Sequence, residues 1–82
     1  MAVDFEKLIR NIVQPLVVYP DDILVKTISS DDDNITIQLL VNEQDLGRVI
    51  GKGGKIANAM RTIVYAGATK ENKRVHIEID SF

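Results

Sequence analysis

Apolar side chains at Phe5, Leu8, Ile9, Ile12, Val13 and Leu16 follow the spacing of one helix face. Asp4 stands where an N-cap would. Pro15 has no backbone N–H and is expected to kink or end this helix late in its run. Asp21 and Asp22 after Pro20 read as a turn. Ile23 to Ile28 then reads as a strand, and Ser30 to Asn34 as a polar break. Beyond it, Ile35, Ile37, Leu39 and Val41 alternate onto one face, as a half-buried strand requires. Two strands joined by so short a link suggest an antiparallel hairpin. Asn42 reads as a second N-cap, with Asp45 in the place of a capping-box acid. A short helix is expected from about Glu43 to Ile50. Gly51-Lys52-Gly53-Gly54 interrupts the helical pattern, which resumes from about Gly54 to Ala66 through Ile56, Ala59, Met60, Ile63 and Val64. Gly67 is placed to cap it. Val75, Ile77 and Ile79 alternate with His76, Glu78 and Asp80 as a last strand with one wet face. The order α-β-β-α-α-β implies an α+β domain, one three-stranded sheet with helices on one face.

Length and composition narrow the classes. Eighty-two residues fit one domain spanning 1–82, and 45% hydrophobic with 27% charged residues is ordinary for a folded one. There is no cysteine, which excludes thiol redox chemistry, disulfides and cysteine zinc sites. No apolar run approaches the ~18 residues of a membrane span. Met1 to Glu6 lacks the basic start and apolar stretch of a signal peptide. These readings point to a soluble protein without a membrane partner.

The net charge of −2 argues against nucleic acid until its distribution is read. Residues 1–41 carry three basic and seven acidic side chains, and residues 42–82 carry seven and five. Arg48, Lys52, Lys55 and Arg61 fall in one stretch that contains no acid. A local positive stripe weighs more in anion binding than the total does.

Within that stripe lies the one segment with evident chemistry. Three glycines in four residues between two helical segments allow backbone conformations that bulky residues avoid, and let another backbone approach closely. Gly54 opens a helix whose first N–H groups carry the positive end of the dipole. Lys52 adds a charge at the loop tip, flanked by Arg48 and Lys55. A Walker A loop does not fit. Counting from Gly47 puts Lys52 where the second glycine belongs, and Ile56 follows Lys55 where Ser or Thr is needed. A dinucleotide fingerprint from Gly51 would need glycine at 56 and a preceding strand. A loop between two helices that clamps about four nucleotides of single-stranded nucleic acid does fit: the GxxG loop of the KH domain.

The resemblance extends beyond the loop. Leu46-Gly47-Arg48-Val49-Ile50-Gly51-Lys52, then Ile56-Ala57, Arg61-Thr62 and Lys73-Arg74-Val75, resemble the small bacterial KH proteins of the KhpA (YlqC) family. Pro15-Leu16-Val17 and Tyr19-Pro20-Asp21-Asp22 match that family's helix-to-strand junction. The similarity covers nearly the whole chain. It implies a type II KH fold and a cytoplasmic, non-catalytic RNA-binding protein that needs no cofactor. It also implies a homodimer, and pairing with a larger KH protein of the KhpB (Jag, EloR) type. The family is linked to post-transcriptional control or RNA chaperoning, and to cell elongation and division. At Gly53 this chain departs from many members, which carry a polar or charged residue. Lys52 is then the one loop side chain left to touch phosphate.

On this reading Gly51, Lys52, Gly53 and Gly54 hold the RNA backbone, with Arg48 and Lys55 beside them. Val49, Ile50 and Ile56 are candidates for an apolar floor under the bases. Aromatic stacking is not expected, because Phe5, Tyr19, Tyr65 and Phe82 all lie outside the loop block. The alternative is a protein-interaction subunit whose RNA contact is secondary, part of a helix stripe serving as a dimer face. Other chemistry has little support. His76 is a lone histidine with no ligand partners at metal spacing. Asp31 to Asn34 lacks the glycine of an EF-hand loop and reads as a solvated link. No Ser/His/Asp set is present, and no small-molecule substrate is indicated.

Overall fold

The computed structural model describes residues 4–82. Met1 to Val3, half of the segment used for the signal-peptide reading, lie outside the described residues. Asp4 caps the first helix, α1 (Phe5–Val13), by accepting the Lys7 N–H at 3.0 Å. Such a cap contributes about 1 kcal/mol. Phe5, Ile9 and Val13 are buried along one stripe, with Leu8 and Ile12 packed at its margin. The α-helix ends three residues earlier than its apolar spacing, because Pro15 turns Gln14–Leu16 into a 3-10 turn. Residues 17–19 run on without regular structure to a second 3-10 turn, Pro20–Asp22.

Strands β1 (Leu24–Ser30) and β2 (Asn34–Val41) form the expected antiparallel hairpin, with a register shift between Thr27 and Ser29. The link is ordered by Asp31. Its carboxylate accepts the N–H groups of Asp33 at 3.0 Å and Asn34 at 2.7 Å. Those bonds, Asn34's first, hold the Asp31 carboxyl below its ordinary range. β3 (Arg74–Ser81) returns parallel to β2, giving a mixed sheet of order β1-β2-β3. Ile35, Ile37, Leu39 and Val41 on β2 are buried with Val75 and Ile77 on β3, and all meet the helices on the same face. The opposite face carries the exposed His76, Glu78 and Asp80. The outer edge of β1 is covered from α1: Glu6 accepts the Thr27 N–H and hydroxyl, and Arg10 reaches the Ile23 carbonyl at 3.4 Å.

Between β2 and β3 run α2 (Leu46–Ile50) and α3 (Lys55–Lys70). α3 outlasts its expected end at Ala66, and Gly67 lies inside it rather than capping it. Glycine inside a helix costs about 1 kcal/mol. Ala68, however, lies on the same stripe as Ala57, Met60 and Val64, and the helix continues to bury it. The cap falls on Asn72, which takes a left-handed φ of 57°. Asn72 donates to the Thr69 carbonyl and Lys73 to that of Ala68, a Schellman closure.

Candidate nucleic-acid interface

The loop is built by its glycines. α2 stops at Gly51, whose N–H closes on the Gly47 carbonyl at 2.9 Å while its own φ turns to 76°. A Cβ on Gly51 would stand 2.7 Å from Ile56 Cγ1 and 3.0 Å from Ile56 Cβ. Glycine is therefore required there twice, by conformation and by space. Lys52–Gly54 forms a 3-10 turn in which Gly53 has φ 63°, and Gly54 enters α3 with φ 78°. These two positions need glycine for conformation alone. A Cβ on Gly53 would meet nothing within 4 Å, and one on Gly54 only Asn58 Nδ2 at 3.8 Å. The result is a stretch of bare backbone between two helix ends. No side chain caps the start of α3 among the described residues. Lys52 and Lys55 are exposed beside it. The positive end of α3 and two free-standing cations thus bear on one surface.

The flanking candidates separate. Ile50 and Ile56 are half-buried and border the loop. Val49 is 0% exposed and belongs to the core, so it supports α2 from beneath instead of offering a floor to a base. Arg48 is 52% exposed, but its Nη1 donates to the Gln44 carbonyl at 2.9 Å and stands 3.4 Å from Asp45 Oδ1. It lies along α2 instead of over the loop.

Asp45 itself corrects the capping-box expectation. Asn42 does act as a cap, its side chain accepting the Gln44 N–H at 2.8 Å. The Asp45 carboxylate turns inward instead, 0% exposed, and accepts the N–H of Val18 on Oδ1 and of Tyr19 on Oδ2, both at 2.9 Å. It fastens the connection after α1 to the base of α2, and so fixes where the loop stands. No sequence signal marked this role, since the partners lie 26 and 27 residues away. Arg61 is the last member of the positive stripe. Its Nη2 sits 3.5 Å from the Ile77 carbonyl, across the seam between α3 and β3.

Among the described residues, no group of three His, Cys, Asp or Glu could hold a metal ion, and no helix is long and apolar enough to cross a membrane.

A three-stranded mixed sheet backed by three helices, with a GxxG loop between the second and third, is the architecture of a type II KH domain. Residues 6–79 match the family described as "KhpA/KhpB, KH domain", and the chain belongs to that family. RNA-binding protein KhpA of Listeria monocytogenes is 47% identical over 74 residues, covering 90% of this chain and 96% of the relative. RNA-binding protein KhpA of Oceanobacillus iheyensis is 43% identical over 72 residues, covering 88% and 95%. That of Clostridium acetobutylicum is 43% identical over 74 residues, covering 90% and 97%. No solved structure matches significantly.

Proposed function

We propose that this chain binds single-stranded RNA, without catalysis, through the backbone of Gly51–Gly54. The observation that carries the reading is the bare, left-handed glycine surface between two helix ends, with Lys52 and Lys55 beside it. The relatives' designation as RNA-binding proteins supports it. Loop N–H groups and Lys52 hold phosphates, Lys55 adds charge, and Arg48 contributes only by sharing its guanidinium with Asp45. Bases turn towards Ile50 and Ile56. A cytoplasmic location and a role in post-transcriptional control, RNA chaperoning, cell elongation or division are what the family resemblance adds.

Two or three phosphate contacts correspond to a salt slope of about −1.5 to −2 on single strands. Such a site is weak alone, and two copies on one strand gain roughly 10²–10⁴ by effective concentration. The test is RNA affinity at two salt concentrations for the wild type and a Lys52→Asp, Gly53→Asp variant. Aspartate is among the residues that tolerate a left-handed φ, and the space at Gly53 is open, so the variant is expected to fold. Loss of salt-sensitive binding supports the loop as the site. Equal binding by both proteins refutes it.

One observation favours the second reading, that of an interaction subunit. Ile63 on α3 is 51% exposed, with Ala59 and Ala66 exposed on the same side of the helix. This face suits a homodimer, or a pairing with a KhpB-type protein. An Ile63→Glu variant that remains a dimer would remove the argument.

A further inference from the structure

The face of the sheet that the helices leave open is not polar throughout. Leu24 on β1 pairs with Leu40 on β2, and both alternate with residues buried against the helices, Val25 and Leu39. The two leucines therefore share the open face. Leu24 keeps 38% of its surface exposed. Phe82 follows β3, its N–H donating to the Val41 carbonyl at 3.1 Å. At 66% it is the most exposed large apolar residue among those described. Leu24 and Phe82 line a hollow of ≈ 640 Å³ at this end of the sheet, over the buried Ile23. Its other walls are Asp21 and Asp22 before β1, and Asn42 and Glu43 after β2.

The lining restricts the occupant. Asn42 Nδ2 donates to Asp22 Oδ2 at 3.0 Å, which ties the two walls together. Asp21 and Glu43 make no side-chain hydrogen bond or ion pair among the described residues, and no Lys or Arg lines the hollow. Asp80, which pairs with Leu40, adds a carboxylate to the same face of the sheet. Such a surface repels the phosphates of a nucleic acid. Among the described residues, these acids form no group placed to hold a metal ion. A purely apolar segment would take carboxylates out of water without giving them a partner. An apolar side chain carried next to Lys or Arg satisfies both parts of the lining. The stems of Lys and Arg also lie well on apolar surface while their heads reach a carboxylate, and the Phe82 ring offers a face to such a cation. The volume falls within the roughly 300–1,000 Å³ of ligand-sized sites, which a few side chains of one segment fill.

We propose that this hollow docks a basic segment of a protein partner, which lays an apolar side chain against Leu24 and Phe82 and sets Lys or Arg against Asp21 and Glu43. A 3-10 turn and the whole of α2 separate Glu43 from Gly51, so the hollow and the glycine loop are distinct surfaces. The proposal does not rest on the RNA reading.

The experiment titrates the isotope-labelled full chain with capped peptides of equal length, built from Leu-Lys-Ser, Leu-Glu-Ser or Ser-Lys-Ser repeats. The first is expected to move the amide resonances of Leu24, Asn42, Glu43 and Phe82. At the concentration where it saturates, the other two should leave them in place. Asp21→Asn combined with Glu43→Gln should weaken the binding about fivefold, the scale of two exposed ion pairs. Phe82→Ser should weaken it by a similar factor through lost apolar contact. All three positions are exposed, so both variants are expected to fold, and the wild-type resonances do not depend on them. Unmoved resonances with the Leu-Lys-Ser peptide, equal binding of the Ser-Lys-Ser peptide, or full affinity in either folded variant would each overturn the proposal. Movement of the same four resonances on adding single-stranded RNA would assign the hollow to RNA instead, and movement on concentrating the protein alone would assign it to a second copy. Glycine-loop resonances that ignore RNA would overturn the RNA reading and leave this one standing.

Discussion

The two ends of α3 turn the chain through left-handed backbone by opposite means. At its start, Gly51, Gly53 and Gly54 do so with no side chains, and leave bare backbone beside two lysines. At its end a single Asn72 does so under a Schellman closure, beside Thr69, Lys73 and Arg74. The first end is shaped by what is missing, as a surface must be if another backbone is to lie on it. At the second the left-handed residue keeps its side chain, and the helix closes on its own Ala68 and Thr69 carbonyls. One helix thus carries two chemically different surfaces at its ends.

Substitutions sharpen that contrast, and the largest effect is expected at Gly51. Gly51→Ala combines the cost of a left-handed alanine, about 1–2 kcal/mol, with overpacking against Ile56, about 1–3 kcal/mol. Urea unfolding should therefore show a loss of about 3 kcal/mol. Asp45→Ala comes next, expected to cost about 2 kcal/mol because the Val18 and Tyr19 N–H groups lose their acceptor. Gly53→Ala meets open space and should cost only about 1 kcal/mol, while reducing RNA affinity if the strand lies against that backbone. Equal losses at Gly51 and Gly53 would show that the close approach of Ile56 does not constrain the loop. Asn72→Gly should be nearly neutral, since glycine also accepts the Schellman position. The smallest expected effect is a pH difference at Asp31. Its carboxyl is held below the ordinary aspartate value of 3.8, so its contribution to stability is present above that value and disappears as pH falls through the lower, folded one. Acid unfolding of Asp31→Ala and wild type should therefore differ near neutrality and converge at low pH.

Much of this could be read from local pattern. The stripe of α1, the alternation of β2 and β3, the hairpin and the glycine loop each follow from residues near one another in the chain. What escaped that reading depends on distance. Gly67 carries an ordinary stop signal, overruled by the burial of Ala68 against the core. Asp45 carries an ordinary cap signal, overruled by two N–H groups from the far side of the α1–β1 connection. Val49 sits beside the loop in sequence yet points into the core. Tyr65 lies well outside the loop block, and only the fold places it beside the seam that α3 forms with β3.

The most direct test of the central claim is a backbone amide titration of the labelled protein with a short single-stranded RNA. The account predicts that the resonances of Gly51, Lys52, Gly53, Gly54 and Lys55 move first and furthest, and that added salt reverses the change. Changes confined to Ile63 and its neighbours on α3, with the glycine loop unmoved, would contradict it.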